Sequence, residues 1–113
     1  MTKSTLTLLA ASCLAAPLFS PLANAAHPSF DCAKATHEVE QLICKDADLA
    51  ALDQSLAELY ATLMKHTPAS QQGALKTEQR GWVKGRNDCW KADDKHGCIK
   101  AEYKSRINEL KDR

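Results

Sequence analysis

Four cysteines place the strongest constraint on how this 113-residue chain folds. They are Cys32, Cys44, Cys89 and Cys98, while a fifth, Cys13, lies in an apolar stretch near the start. An even number of cysteines in a short exported chain is typical of a disulfide framework. A zinc site prefers close cysteine pairs, and the spacings here, of 12, 45 and 9 positions, do not provide them. We therefore predict two disulfides, no metal and no other cofactor.

Four cysteines allow three pairings, and closeness along the chain favours one of them. Cys89 and Cys98 flank a short connection between helices, and Cys32 and Cys44 flank a short helix with the arm before it. Each bridge would close a short loop and contribute about 3 kcal/mol to stability. The preferred pairing is Cys32 with Cys44 and Cys89 with Cys98.

The first 25 residues have the pattern of a secretory signal peptide. Lys3 supplies the positive charge, residues 6–18 an apolar run, and Ala23-Asn24-Ala25 a small-residue cleavage site. The apolar run is too short to span a bilayer and is interrupted by Pro17. The expected organisation is a signal peptide over 1–25 and a single helical domain over 26–113.

Lipid attachment at Cys13 is the alternative to this cleavage. Small residues precede Cys13, but a lipidation site prefers a leucine-like residue where Ala10 stands, and the later cleavage site is better formed. The sequence therefore favours a periplasmic or secreted protein without a membrane span.

The charges are balanced overall but divided unevenly along the mature chain. Asp31–Met64 carries seven acidic residues against two basic ones, whereas Lys65–Arg113 carries twelve basic residues against seven acidic ones. The two halves either complement each other or form two differently charged binding faces. A nucleic-acid partner is not expected, because such binders carry a net positive charge.

Helical periodicity dominates the first half of the mature chain. Thr36 is the expected N-cap of a short helix that ends near Cys44 or Lys45, and Asp46 the expected N-cap of a long helix to about His66. The apolar residues of the long helix recur every three or four positions, which indicates one buried face. They are Leu49, Leu52, Leu56, Leu59, Tyr60 and Leu63.

Two more helices are predicted in the second half. Thr67 caps and Pro68 opens a third helix that ends near Cys89–Trp90, a polar connection follows over Lys91–Gly97, and Cys98 begins the last helix. Its inner side carries Ile99, Tyr103, Ile107 and Leu110.

The expected fold is all-α: a small bundle of about four helices, with two long antiparallel helices, a short N-terminal helix and a C-terminal helix, stapled by two disulfides.

Arg86 and its neighbours on the third helix have two interpretations. In the first interpretation, Trp82 belongs to the core and Arg86 bonds to an acid on the second helix, such as Asp53, because a buried guanidinium needs hydrogen-bond acceptors. Alternatively, Gln79, Trp82 and Arg86 form an exposed recognition face with Trp90. We favour the first interpretation.

The order of these residues resembles the lysozyme inhibitor LprI-like N-terminal domain family. The first part of the match is Phe30-Asp31-Cys32, Glu40, Ile43-Cys44, Asp46, Leu49, Leu52-Asp53, Leu56 and Tyr60. The second part is Gln79-Arg80, Trp82, Arg86-Asn87, Cys89, Cys98-Ile99, Tyr103, Arg106-Ile107 and Leu110. Gln79, Trp82, Arg86 and Tyr103 are the structural signature that the resemblance implies. It also implies a helical, exported, cysteine-bridged protein related to a mycobacterial lipoprotein that inhibits lysozyme.

Catalysis is not expected from this sequence. The mature chain has no free cysteine once the bridges form, its histidines lie at element edges, and its acid pairs have the spacing of solvated surface residues. The leading hypothesis is an exported envelope binding protein that inhibits a lysozyme-type muramidase. The alternative is a non-inhibitory periplasmic module with a structural, stress-related or immunity role.

The polar connection at Lys91–Gly97 is the predicted partner-binding site. Lysozymes work with two carboxylates in a cleft, and a stapled loop that carries Lys91, Lys95 and His96 presents cations and donors to them. The alternative is an ordinary solvated turn. A second candidate surface is the acidic face of the first two helices, which would steer a basic lysozyme.

Overall fold

The computed structural model describes residues 27–113, and within them every regular element is helical. Four α-helices follow one another: α1 (Glu38–Lys45), α2 (Ala47–His66), α3 (Ala69–Asn87) and α4 (Lys95–Lys111). Two short 3-10 turns complete the list, at Cys32–Lys34 and Asp88–Lys91. The predicted all-α fold is confirmed. The predicted signal peptide lies outside the described residues.

The three long helices run up, down and up. Tyr60 of α2 lies across from Gln79 of α3, and Asp53 lies across from Arg86, so α2 and α3 are antiparallel. Helix α4 packs along one side of this pair and makes contacts with both. Helix α1 also contacts both members of the pair, and the N-terminal arm (residues 27–31) reaches α2 through Ser29 and Asp53.

The core consists of apolar side chains from all four helices. Tyr103 and Ile99 of α4, Ile43 and Val39 of α1, and Leu49 of α2 are almost fully buried. The periodic stripe of α2 faces this core, with Leu56 buried and the remaining leucines partly buried against it. Burial of each such side chain stabilises the fold by about 1.5–3 kcal/mol.

Both predicted disulfides are present. Cys32 bonds to Cys44 with 5.9 Å between the Cα atoms, and Cys89 bonds to Cys98 with 5.6 Å. Cys89 is itself part of the core and only 2% exposed, whereas Cys32 lies at the surface. The Cys89–Cys98 bridge is therefore packed into the core at its Cys89 end, whereas the Cys32–Cys44 bridge is exposed to solvent at its Cys32 end.

Two of the predicted helix N-caps, Thr36 and Thr67, were wrong. His37, not Thr36, caps α1, because its Nδ1 accepts a hydrogen bond from the backbone N–H of Val39. Thr67 ends α2 instead of capping α3: its hydroxyl donates to the carbonyl of Leu63. The predicted cap at Asp46 is confirmed, since its carboxylate accepts from the N–H of Leu49.

The largest correction concerns the polar connection. Helix α4 begins at Lys95 and not at Cys98, because Asp94 caps it by accepting a hydrogen bond from the N–H of Gly97 at 2.9 Å. Residues 95–97 therefore form the first turn of a helix, and the non-helical part of the connection is reduced to Ala92–Asp94. The connection is therefore shorter than predicted.

The glycines of α3 offer a direct test of helix propensity. A Cβ added at Gly81 or Gly85 would meet no atom within 4 Å. We expect Gly81→Ala and Gly85→Ala each to raise the free energy of unfolding by about 0.5–1 kcal/mol, because alanine loses less backbone entropy in a helix. Urea denaturation followed by far-UV circular dichroism measures the change.

Gly97→Ala is the matched control for these two substitutions. A Cβ at Gly97 would collide with the Asp94 carboxylate that caps α4. We expect Gly97→Ala to show no gain in stability, because the lost N-cap costs about 1 kcal/mol and cancels the gain from the better helix former. Destabilisation by Gly81→Ala would show that the face of α3 around it is covered.

Candidate functional site

Asp53 is a buried carboxylate at the centre of the fold, and it links the arm to α2 and α4. Its side chain lies on α2 and is 5% exposed as a residue. One oxygen accepts hydrogen bonds from both the backbone N–H and the hydroxyl of Ser29, each at 2.6 Å. The other accepts from the Tyr103 hydroxyl at 2.7 Å. Three hydrogen-bond donors thus satisfy a charge that would otherwise be costly to bury.

Arg86 reaches Asp53 through Tyr103. Its Nη1 donates to the Tyr103 hydroxyl at 3.0 Å and lies 3.9 Å from the Asp53 carboxylate. The hydroxyl therefore accepts from the guanidinium and donates to the carboxylate. Burial raises the pKa of Tyr103 strongly, and the neighbouring carboxylate raises it further, against the opposing effect of Arg86. The hydroxyl consequently stays protonated and keeps its donor role.

Aromatic rings surround the Arg86 guanidinium. Its central carbon lies 6.0 Å from the centre of the Phe30 ring, 5.6 Å from Trp82 and 5.9 Å from Tyr103. The rings of Trp82 and Tyr103 meet edge to face, with 5.0 Å between their centres, and the Trp82 indole N–H donates to the carbonyl of Glu102. The predicted link between Arg86 and Asp53 is present, with Trp82 packed against the core and not displayed as a recognition face.

Gln79 belongs to a second buried contact between α3 and α4. Its side-chain oxygen accepts from Nε of Arg106 at 3.0 Å, and Nη1 of Arg106 donates to Glu109 at 3.0 Å. The Nη2 atom of Arg106 lies 3.8 Å from Glu78 and makes no hydrogen bond within the described residues. All four residues of the predicted signature, Gln79, Trp82, Arg86 and Tyr103, thus make contacts between helices.

The second disulfide closes an exposed corner, which we define as residues 88–94 between α3 and α4. Trp90 is 47% exposed and is the one large apolar side chain in the described residues that is exposed. The ammonium group of Lys91 lies 5.6 Å from the centre of the Trp90 ring and 3.7 Å from Asp88. Because both partners of that ion pair are more than 60% exposed, the pair contributes little and Lys91 remains accessible.

Lys95 and His96 point instead toward acids of the same chain. Nζ of Lys95 lies 2.5 Å from the Glu38 carboxylate, and Nε2 of His96 lies 3.1 Å from that of Asp46. These contacts attach the start of α4 to α1 and to the start of α2. The structure therefore separates the three predicted partner-binding residues: Lys91 is accessible, whereas Lys95 and His96 each contact a carboxylate of the same chain at a half-exposed position.

A groove runs between α2 and α3 on the side that α4 does not cover. We call it the α2–α3 groove. Its arm end has a volume of about 320 Å³ and is lined by Phe30, Glu40, Asp53, Trp82 and Arg86 among others. Its open end has a volume of about 560 Å³ and is lined by Tyr60, Lys76, Gln79, Arg80, Val83 and Lys84. Tyr60, Gln79 and Val83 line both ends, so the two form one continuous surface.

In residues 27–113 no three histidine, cysteine, aspartate or glutamate side chains gather as metal ligands would. All four described cysteines are oxidised, and the buried Asp53, Tyr103 and Arg86 are hydrogen-bonded to one another, to Ser29 and to the Asn87 side chain. None of the helices within this part of the chain is long and apolar enough to cross a bilayer.

These features define a class of protein: a small helical domain with two disulfides and a buried Asp–Tyr–Arg brace. Comparison of the sequence with known protein families identifies the family within this class. The profile of the family described as Lysozyme inhibitor LprI matches residues 32–110, and the chain belongs to this family. All four bridged cysteines, Asp53 and the four signature residues fall within the match.

Curated relatives agree with this assignment. Lipoprotein LprI of Mycobacterium bovis and of Mycobacterium tuberculosis are each 30% identical to the chain over 103 residues. The alignment covers 91% of this chain and 51% of each relative, so the chain spans about half the length of the curated relatives it matches. No solved structure matches.

The sequence predicted neither the contact between Ser29 and Asp53 nor the α2–α3 groove. Ser29 carries no pattern that predicts a bond to a residue 24 positions later. The groove had a visible signal, because Lys76, Arg80 and Lys84 recur every four residues beside Val83. Such a stripe is ordinarily a solvated helix face, and only the position of α2 turns it into one wall of a groove.

Proposed function

We propose that this protein is an exported envelope protein that binds and inhibits a lysozyme-type muramidase. The observation that carries the proposal is the match of the lysozyme inhibitor family over residues 32–110. Three features support export: the predicted signal peptide, the two disulfides, which persist in oxidising compartments, and the naming of the relatives as lipoproteins.

The corner at residues 88–94 is the contact site in this proposal. Trp90 offers a large exposed ring, Lys91 offers a cation beside it, and the disulfide between Cys89 and Cys98 holds both in place. Tryptophan is the residue type most enriched at the energetic centres of interfaces. A rigid corner loses little conformational entropy on binding, which favours affinity.

The target chemistry is complementary to this corner. A muramidase carries two carboxyl groups in its substrate cleft, and at least one of them is ionised during the reaction. Lys91 would pair with such a carboxylate, while Trp90 would pack where a sugar ring packs. Lys95 and His96 lie at the edge of the contact, where their own acidic partners limit their contribution.

An inhibition assay tests the proposal. The mature protein, with both disulfides formed, is added to lysozymes of several structural classes, and the clearing rate of a peptidoglycan suspension is recorded. Inhibition at micromolar protein is expected for at least one class. We expect Trp90→Ala to weaken that inhibition by about tenfold or more, because truncating a central anchor costs 2 kcal/mol or more.

Two variants serve as controls. Trp90→Phe retains a ring and is expected to keep most of the inhibition. Lys91→Ala is expected to weaken it, whereas Lys111→Ala, which removes an equally exposed lysine at the far end of α4, is expected to leave it unchanged. Absence of inhibition across the panel, with folded protein, would favour the non-inhibitory envelope module instead.

A further inference from the structure

The open end of the α2–α3 groove has a feature that the inhibition proposal does not use: a row of cations without partners. Lys76, Arg80 and Lys84 are exposed, and they stand one helical turn apart along α3. No carboxylate of residues 27–113 lies within ion-pair distance of any of them. Three of the six residues that line this end are cationic, and none is acidic.

Beside this cationic wall, the floor of the groove is apolar. Tyr60 of α2 and Val83 of α3 are both partly buried, and each lines the groove from its own helix. The groove thus combines an apolar strip with a single positively charged edge. A complementary ligand carries an apolar strip of its own and negative charges along one side of it.

The walls of the groove indicate the backbone conformation of the occupant. Both walls are α-helices, whose backbone N–H and C=O groups bond within the helix and are not offered to a neighbour. An extended peptide would find no backbone partners here, whereas a helix satisfies its own backbone and contributes side chains alone. Amphipathic helices are recognised in this way by hydrophobic grooves.

We propose that the α2–α3 groove is a docking site for an acidic amphipathic helix of a partner protein. The helix packs its apolar strip on Tyr60 and Val83, opposite the side where α4 packs. Acidic residues repeating every four positions along one edge pair with Lys76, Arg80 and Lys84. These cations span eight residues, or about 12 Å of helix axis, so a docked segment of two to four turns suffices.

The arm sets the limit of this docking site. Ser29 is bonded to Asp53, and Phe30 lies against Arg86, so the arm and Glu40 line the other end of the groove and leave it the smaller volume, about 320 Å³ against about 560 Å³. Glu40 also places a negative charge there, which disfavours an acidic ligand. The occupant is therefore confined to the end with the three cations.

Binding of a synthetic peptide tests the proposal. The probe is a fluorescein-labelled helical peptide of about 18 residues, long enough to form a helix on binding, with a leucine strip and glutamates along one edge. A second peptide carries lysines in place of the glutamates. Fluorescence anisotropy at low ionic strength is expected to give a micromolar Kd for the acidic peptide, weakened by added salt, and no saturable binding for the basic one.

The decisive comparison uses two triple variants of equal charge. Lys76→Gln/Arg80→Gln/Lys84→Gln is expected to raise the Kd by about tenfold or more, since three charge pairs are lost together. Lys100→Gln/Lys104→Gln/Lys111→Gln changes the net charge equally on α4, and less than about a twofold effect is expected. All six positions are solvent-accessible side chains, so both proteins should fold.

Several results would overturn the proposal. They are an equal loss in the α4 triple variant, equal binding of the basic peptide, or no anisotropy change at about 100 µM protein, far above a micromolar Kd. Binding of phosphatidylglycerol vesicles in place of the peptide, lost in the α3 triple variant, would identify a lipid surface as the occupant and likewise overturn it. The test is independent of muramidase inhibition, which the α3 triple variant is expected to retain.

Discussion

Arg86→Ala is expected to lower the free energy of unfolding by about 3–5 kcal/mol, the usual range when one partner of a buried ionic contact is removed. The substitution takes a hydrogen-bond donor from the Tyr103 hydroxyl and a positive charge from the vicinity of Asp53. It also empties a space bounded by the rings of Phe30 and Trp82. Asp53 would remain buried, with its negative charge uncompensated. In a domain of this size, such a loss is a large part of the total stability.

Chemical denaturation at neutral pH measures this effect, and Arg80→Ala is its matched control. Arg80 lies on the same helix but is exposed, so its loss should change stability by less than about 0.5 kcal/mol. Tyr103→Phe removes only the bridging hydroxyl and should cost about 1–3 kcal/mol, less than Arg86→Ala. An unchanged melting temperature for Arg86→Ala, together with loss of partner binding, would reassign Arg86 from a structural brace to a recognition residue.

Removal of the Cys89–Cys98 bridge is the second substitution with a large expected effect. Replacement of both cysteines by alanine should lower stability by about 3 kcal/mol through the freed chain entropy alone. A further loss is expected because Cys89 is a buried core residue and Cys98 packs against the core. The total should therefore exceed that for the equivalent double alanine variant of Cys32 and Cys44, whose loop is of similar length but includes an exposed cysteine.

Thermal unfolding of the two double variants, compared under identical conditions, provides the measurement. Each should melt well below the parent protein, and the variant without Cys89–Cys98 should melt lower. Equal melting temperatures would mean that packing around Cys89 adds nothing to the covalent constraint. The variant without Cys89–Cys98 also tests the proposed contact site. Under conditions where it is folded, it should still inhibit a muramidase more weakly than the parent protein, because the bridge no longer holds the corner.

Much of the fold was predictable because its determinants are local. The apolar positions of α2 recur every three or four residues from Leu49 to Leu63, and this period by itself specifies a helix with one buried face. The disulfide pairing followed from closeness along the chain, at separations of 12 and 9 residues. Arg86 was predicted to bond to an acid on the second helix, such as Asp53, because a buried guanidinium needs hydrogen-bond acceptors.

Helix ends were less predictable, since neighbouring residues compete for the same backbone donors. His37 outcompeted Thr36 by one position at the start of α1, and Asp94 began α4 three residues before the expected place. That shift moved Lys95 and His96 from a loop to the first turn of a helix. Their contacts with the carboxylates of Glu38 and Asp46 join residues 57 and 50 positions apart in sequence.

The sequence alone determined that this chain is helical, which residues bury, how the cysteines pair and which family it resembles, because periodicity, spacing and motif order are local properties. The tertiary structure decided that Tyr103 stands between Arg86 and Asp53, that Ser29 closes the same network, and that Trp90 and Lys91 stay accessible. It also placed Lys76, Arg80 and Lys84 beside Tyr60 to form a groove. Such contacts depend on how separate helices pack together, and no local sequence pattern specifies how two helices lie relative to each other.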